Sequence, residues 1–270
     1  MCGMSRCVVA IAGSRVLLTG ASGGLGGVIA RALDEHDARL ILSGRRTDAL
    51  ASLAAELRDA EILPCDLADR DQVEDLLSEV QDVDIVVANA GLPAAGTIDE
   101  FTGQELDRAL DVNLRAPMLI AQRLAVRMAV RRRGHLVFIS SIGGKLPAPR
   151  LSIYAATKYG LRGFAAALRQ DLAPAGVGVS AVFPSSVVDV GMWAESGATN
   201  KVGTVSSAAV ARGVITAITK NRAEVDVAPW WVRLAVPLAS RFQDFFGRVA
   251  RQSGADEEAA ALAAALRHKR

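Results

Sequence analysis

Between Arg15 and Pro229 the chain alternates two hydrophobic textures. Short β-branched runs occupy Arg15–Gly20, Arg39–Ser43, Glu61–Cys65, Asp84–Ala88, His135–Ser140, Gly178–Phe183 and Glu224–Ala228. Between them lie Ala- and Leu-rich stretches with helical spacing, among them Leu25–Glu35, Asp48–Arg58, Gln72–Val80, Gln104–Arg132, Ser152–Leu172 and Ser207–Lys220. The first texture predicts strands and the second helices. Runs such as Ile85-Val86-Val87 are apolar without alternation, as expected for a sheet covered on both faces. Strand then helix, repeated, is the pattern of βαβ units, because a parallel strand pair needs a covering crossover. The chain therefore predicts an α/β fold: a doubly wound parallel sheet of seven strands. Residues 1–14 read as an N-terminal extension, 15–229 as the α/β domain and 230–270 as an aromatic and basic helical tail.

Composition sharpens this picture. Hydrophobic residues make up 51% of the 270 residues and charged ones 22%, enough to bury a large core. Aromatics are only 4%, so Ala, Val, Leu and Ile must build that core. Five of the twelve aromatics crowd into Trp230–Phe246, and residues 230–270 carry seven Lys/Arg against four Asp/Glu. A net charge of +2 without a concentrated basic face excludes a nucleic-acid partner. Cys2, Cys7 and Cys65 suit neither a disulfide framework nor a zinc site, which predicts a reducing, cytoplasmic setting and no metal. The uncharged run Leu172–Val188 is broken by Pro174, Gly176, Gly178 and Pro184, so it does not read as a membrane span. Cys7–Gly13 is too short and lacks the cleavage pattern of a signal peptide.

The first strand ends in Thr19-Gly20-Ala21-Ser22-Gly23-Gly24-Leu25-Gly26 and runs straight into a helix. Glycines there allow a pyrophosphate to approach the backbone, and the helix N-terminus supplies N–H groups and a positive dipole end. The alternative is an ordinary glycine-rich turn; strand before and helix after favour a dinucleotide and a Rossmann fold. At the end of the second strand, where a carboxylate would grip the ribose of NAD, stand Ser43-Gly44-Arg45-Arg46. A guanidinium fork matches a 2′-phosphate, so NADP is expected and NAD is disfavoured, with Arg45 ahead of Arg46.

Tyr154 and Lys158 are spaced i,i+4 on a predicted helix and so share a face. A phenol with a reference pKa of about 10 works as an acid or base only when its anion is stabilised, and an ammonium does that. Five lysines against 26 arginines make the use of Lys here notable. The fifth strand ends at Ser140-Ser141, at the sheet edge where α/β sites lie, and a hydroxyl there would polarise a carbonyl.

In order along the chain, Thr19-Gly20-xxx-Gly24-x-Gly26, Cys65-Asp66-Leu67, Ala88-Asn89-Ala90-Gly91, Asn113 in Asp111-Val112-Asn113-Leu114, Ser141, and Tyr154-xxx-Lys158 resemble the single-domain short-chain dehydrogenase/reductase family, over Arg15 to Pro229. The resemblance implies a catalytic set. Tyr154 would be acid in ketone reduction and base in alcohol oxidation, and Lys158 would lower its pKa and hold the nicotinamide ribose. Ser141, at the family's offset of thirteen residues before Tyr154, would bond the substrate oxygen, and Asn113 would hold a relay water. From the residues alone, Asn113 reads instead as a structural polar group that kinks a helix. The resemblance places the adenine against Asp66 and Leu67 and the cofactor along Asn89, Ala90 and Gly91; turn-forming and strand-end roles are the alternatives for Asp66 and Asn89. One stretch departs from the family: after Pro184 stands Ser185 where Gly is usual, and Val190 stands near the position of a Thr that binds the nicotinamide amide. That leaves the amide to backbone groups around Val188.

The segment Asp189–Val205 contains Met192 and Trp193 with little charge, which favours an apolar carbonyl substrate: fatty-acyl, terpenoid, steroid-like or aromatic. Simple packing of Met and Trp onto the domain is the competing reading. The tail has three readings: packing on the domain or a partner subunit, peripheral membrane contact through 230–246, or a lid over a lipophilic substrate. The family implies homodimers or homotetramers through Gln104–Arg132 and Ser152–Leu172. Two function classes remain: an NADP-dependent oxidoreductase, or an inactive dinucleotide-binding sensor or scaffold. That all four catalytic positions are filled argues for the first.

Overall fold

The structure, a computed structural model, describes residues 9–196, 203–242, 248 and 255–267. Seven parallel strands, β1 (Arg15–Thr19), β2 (Arg39–Gly44), β3 (Ala60–Pro64), β4 (Ile85–Ala88), β5 (His135–Ile139), β6 (Gly178–Pro184) and β7 (Glu224–Val227), lie in the order β3-β2-β1-β4-β5-β6-β7. The doubly wound sheet is as expected, and strand ends fall within a residue or so of the textural boundaries.

Successive residues of a strand point to opposite faces, so each apolar run feeds two cores. Leu17, Val86 and Phe138 pack on one side against α3 (Arg70–Glu79), α5 (Ala116–Arg131) and α6 (Ser152–Leu172). Val16, Leu18, Leu42 and Val87 pack on the other against α1 (Gly24–Asp34), α2 (Thr47–Ala54) and α8 (Ser207–Thr219). Strand order reverses between β1 and β4, which opens a crevice at their carboxyl ends.

Two helices differ from the sequence reading. The stretch 104–132 is not one helix: α4 (Gly103–Leu110) passes through a π turn, Asp111–Arg115, into α5. Pro117 has no N–H to give the carbonyl of Asn113, so the regular ladder fails there and the turn widens. α2 ends at Ala54 rather than Arg58, whose N–H donates instead to Asp34 Oδ1 at 2.9 Å. Past β6 come the short α7 (Gly191–Glu195), α9 (Trp230–Arg241) and α10 (Ala255–Leu266). α9 buries Val232, Val236 and Ala239, and α10 packs on α7. Among the described residues no helix is long and apolar enough to cross a membrane.

Candidate active site

A cavity of about 420 Å³ occupies the crevice at the carboxyl ends of β1, β4, β5 and β6. One wall is the turn from β1 into α1, where Gly20, Ser22, Gly23, Gly24, Leu25 and Gly26 line it. Gly20 has φ +68°, and a Cβ on Gly26 would stand 2.2 Å from the Gly20 carbonyl oxygen. Neither position accepts a side chain. The α1 N-cap, Gly23, makes no side-chain capping bond, so the first turn turns its N–H groups to the crevice.

Asn89 locks this turn to β4. Its Nδ2 donates to the carbonyls of Thr19 (3.1 Å) and Gly20 (3.3 Å), while Thr19 Oγ1 accepts from the N–H groups of Asn89 and Ala90. Asn89, Ala90 and Gly91 line the cavity, as expected. A smaller cavity of about 60 Å³ continues toward β2 and β3, lined by Ser43, Arg45, Cys65, Asp66, Leu67 and Val112 among others. Asp66 forms a turn, accepting from Ala68 N–H at 3.1 Å, and its other oxygen lies 3.2 Å from Arg108 and 3.9 Å from Arg45. Burial pushes the Cys65 thiol up to about 11, so it serves as an apolar wall rather than a nucleophile. The Ser43 hydroxyl is buried with no partner, an orphaned group at the edge of this hollow. A Cβ-free cradle, a second hollow and an unpaired hydroxyl fit a dinucleotide. Arg46 lines the larger cavity and donates to the Ser22 carbonyl; Arg45 lines the smaller.

The opposite wall carries the remaining predicted residues. Ser141, Tyr154 and Lys158 come together there. The Ser141 and Tyr154 side chains are hydrogen-bonded, and Gly143 N–H donates to Ser141 Oγ at 3.0 Å. Ser140 also lines the cavity, but its hydroxyl donates to the Lys158 carbonyl at 3.1 Å. Lys158 Nζ lies 5.7 Å from the Tyr154 ring centroid and donates to the Ile139 carbonyl at 3.0 Å. Burial pushes the Tyr154 phenol above its ordinary value, partly offset by Ser141, and pulls the Lys158 ammonium down to about 8. Burial, rather than the ammonium, thus sets the phenol, which holds its proton at neutral pH.

Asn113 is fully buried on the π turn and is consumed by Leu92: Oδ1 accepts from Leu92 N–H at 2.6 Å, and Nδ2 donates to Leu92 C=O at 3.0 Å. It braces the segment carrying Gly91, whose added Cβ would lie 3.5 Å from Asn113 Oδ1 and 3.6 Å from Lys158 Nζ. The structural reading of Asn113 describes these bonds.

The departure after β6 has an internal explanation. Ser185 donates to the Gly203 carbonyl, Val187 bridges Val205, and Asp189 accepts from both N–H and Oγ of Ser207 at 2.8 Å. These bonds order the loop without the family's Gly and Thr. The Val188 N–H donates to the Val205 carbonyl at 3.1 Å, and Pro184, Ser186, Val187 and Val190 of this stretch line the cavity. The far end of the cavity is apolar, with Leu92, Pro93, Leu151, Met192 and Trp193. Leu262 and Leu266 of α10 also line it, residues that no motif in the sequence singles out.

A family model for short chain dehydrogenases matches residues 14–201. A 3-oxoacyl-(acyl-carrier-protein) reductase of Rickettsia typhi is 34% identical over 176 residues, 65% of this chain and 73% of that one. A ketoacyl reductase of Nostoc sp. is 33% identical over 227 residues, 80% of this chain and 79% of that one. Among solved structures, a short-chain dehydrogenase from Sphingobium yanoikuyae in complex with NADPH superposes with a TM-score of 0.75 at 27% identity, covering 89% of this chain and 94% of that one.

Proposed function

The chain belongs to the short-chain dehydrogenase family, and on that premise we propose that it is an NADP-dependent oxidoreductase. It transfers hydride between nicotinamide and the carbonyl or secondary alcohol of an apolar small molecule. The observation that carries this reading is the meeting of Ser141, Tyr154 and Lys158 in one cavity with the glycine turn.

The nicotinamide, when bound, supplies or accepts the hydride. The chain's own residues do the rest. The first-turn N–H groups of Gly24, Leu25 and Gly26 would hold the pyrophosphate, Arg45 and Arg46 the 2′-phosphate, and Asp66 and Leu67 the adenine. Ser141 donates to the substrate carbonyl oxygen, and Tyr154, protonated through burial, gives that oxygen its proton as negative charge develops. Lys158, cationic below about pH 8, stabilises the resulting phenolate and contacts the ribose. Asn113 keeps Gly91 and Leu92 in place beside them. Backbone groups around Val188, with Ser186 and Val187 lining the cavity, would hold the amide end of the nicotinamide.

Two relatives are named for reduction of ketoacyl groups, and a solved neighbour holds NADPH. They support NADP and a ketone of fatty-acyl character over the inactive-sensor reading. Copies of the chain associate through α4, α5 and α6; the outer face of α4 and α5 exposes Leu106, Met118, Val126 and Val130. The setting is cytoplasmic, with the outer face of α9 touching a membrane surface.

Oxidation of NADPH with a panel of ketones and aldehydes tests the assignment. Tyr154→Phe is expected to lower kcat about 100-fold to 10,000-fold with NADPH binding retained. Equal turnover by wild type and variant overturns it.

A further inference from the structure

The catalytic cavity is finished by a helix outside the matched family region. Residues 14–201 carry the family match, yet Leu262 and Leu266 of α10 line the same cavity as Tyr154. Ala259, Ala263 and Leu266 are buried on one face of α10, at spacings of four and three, and this face packs on α7. α7 in turn presents Met192 and Trp193 to the cavity. The polar groups Ser141, Tyr154 and Lys158 lie on one side of the cavity; α7 adds Met192 and Trp193 together with Glu195 at its end, and α10 adds only the hydrocarbon of Leu262 and Leu266.

We propose that α10 is the specificity wall for the substrate's tail: Leu262 and Leu266 receive an aliphatic chain attached to the carbonyl carbon while Ser141 and Tyr154 hold the carbonyl oxygen. The ligand class is a 3-oxoacyl compound, or another ketone with a medium-length alkyl chain, rather than a small or charged ketone. The inference rests on the carbonyl-reductase reading for the chemistry, but the wall itself is a statement about apolar contact. Each methylene placed against the wall strengthens binding by roughly fourfold. Covering the chain also keeps water from the oxygen that Tyr154 protonates.

The test uses ethyl esters of 3-oxobutanoate, 3-oxohexanoate, 3-oxooctanoate and 3-oxodecanoate with the full chain and NADPH. Two quantities are read for each ester: kcat/KM from NADPH oxidation, and the dissociation constant from calorimetry with NADP present. Wild type is expected to gain roughly threefold to fourfold per methylene in both. Leu262→Ser with Leu266→Ser is expected to cut the ratio of the longest to the shortest ester at least tenfold. Leu262→Phe, which keeps the face apolar but fills space, is expected to shift the optimum to shorter esters and serves if the serine variant does not fold. A ratio that stays within twofold of wild type in the folded variants overturns the wall. No turnover of any ester, with the calorimetric slope present and lost in the variants, supports the wall and overturns the carbonyl-reductase reading instead.

Discussion

Lys158 is the group whose charge is most finely poised. Burial holds its ammonium near pKa 8 and keeps the Tyr154 phenol protonated well above neutrality. The active form for reduction has both protons, so activity is present below about pH 8 and lost as Lys158 neutralises above it. We expect kcat/KM for ketone reduction to fall on the alkaline side with an apparent pKa near 8; a profile flat from pH 7 to 9.5 contradicts this. For stability the sign is reversed. An ammonium whose pKa drops on folding opposes folding at neutral pH, and that opposition fades as pH rises above about 8. Cofactor choice is also a residue-scale matter. Replacing Arg46 with Ala is expected to weaken NADPH binding at least tenfold and leave NADH within about twofold, read by fluorescence titration. An unchanged preference in Arg46→Ala and Arg45→Ala together overturns the NADP assignment. The helical period put Tyr154 and Lys158 on one face, and strand-end position pointed to Ser140-Ser141, between which the family offset of thirteen residues before Tyr154 chose Ser141. The pairing of the Val188 N–H was not legible in the same way, because its partner is Val205, seventeen residues on.

At the scale of elements, the π turn shows what a periodic pattern hides. Residues 104–132 keep helical spacing throughout, and only Pro117 marks where the ladder must break. The break aims Asn113 at Leu92, where its amide satisfies two buried backbone groups. Asn113→Ala leaves both without partners, each costing about 1–3 kcal/mol. We expect the variant to lose about 2–4 kcal/mol of unfolding free energy in urea. A loss below about 0.5 kcal/mol shows that the brace is dispensable. The strands were legible because a sheet buried on both faces demands unbroken apolar runs. α10 was legible as a helix, read over Ala255–Arg270, but not as a wall of the site, since an Ala/Leu face does not record what it covers.

The molecule as a whole puts its chemistry in one crevice and leaves an apolar stripe exposed on α9. The two faces of α9 differ. α9 buries Val232, Val236 and Ala239 against the domain, yet Trp230, Leu234 and Leu238, at i, i+4 and i+8, stay 73%, 64% and 55% exposed. Trp231 and Phe242 extend this stripe, and Arg233 and Arg241 lie on the exposed side with it. Leaving so much hydrocarbon in water is costly, and the arginines select an anionic cover. Transfer of two leucines from water is worth about 3–6 kcal/mol when complete, enough to decide whether the protein binds a surface. We therefore expect the protein to float with phosphatidylglycerol-containing vesicles, and less so in 0.5 M salt, which reduces the Debye length to about 4 Å. Leu234→Glu with Leu238→Glu should remove most of the floated fraction without lowering the unfolding temperature, because neither residue reaches the core. Protein that stays below the vesicles, or floats equally with and without the two glutamates, refutes membrane contact. A variant that instead halves the sedimenting mass assigns the stripe to a second copy of the chain.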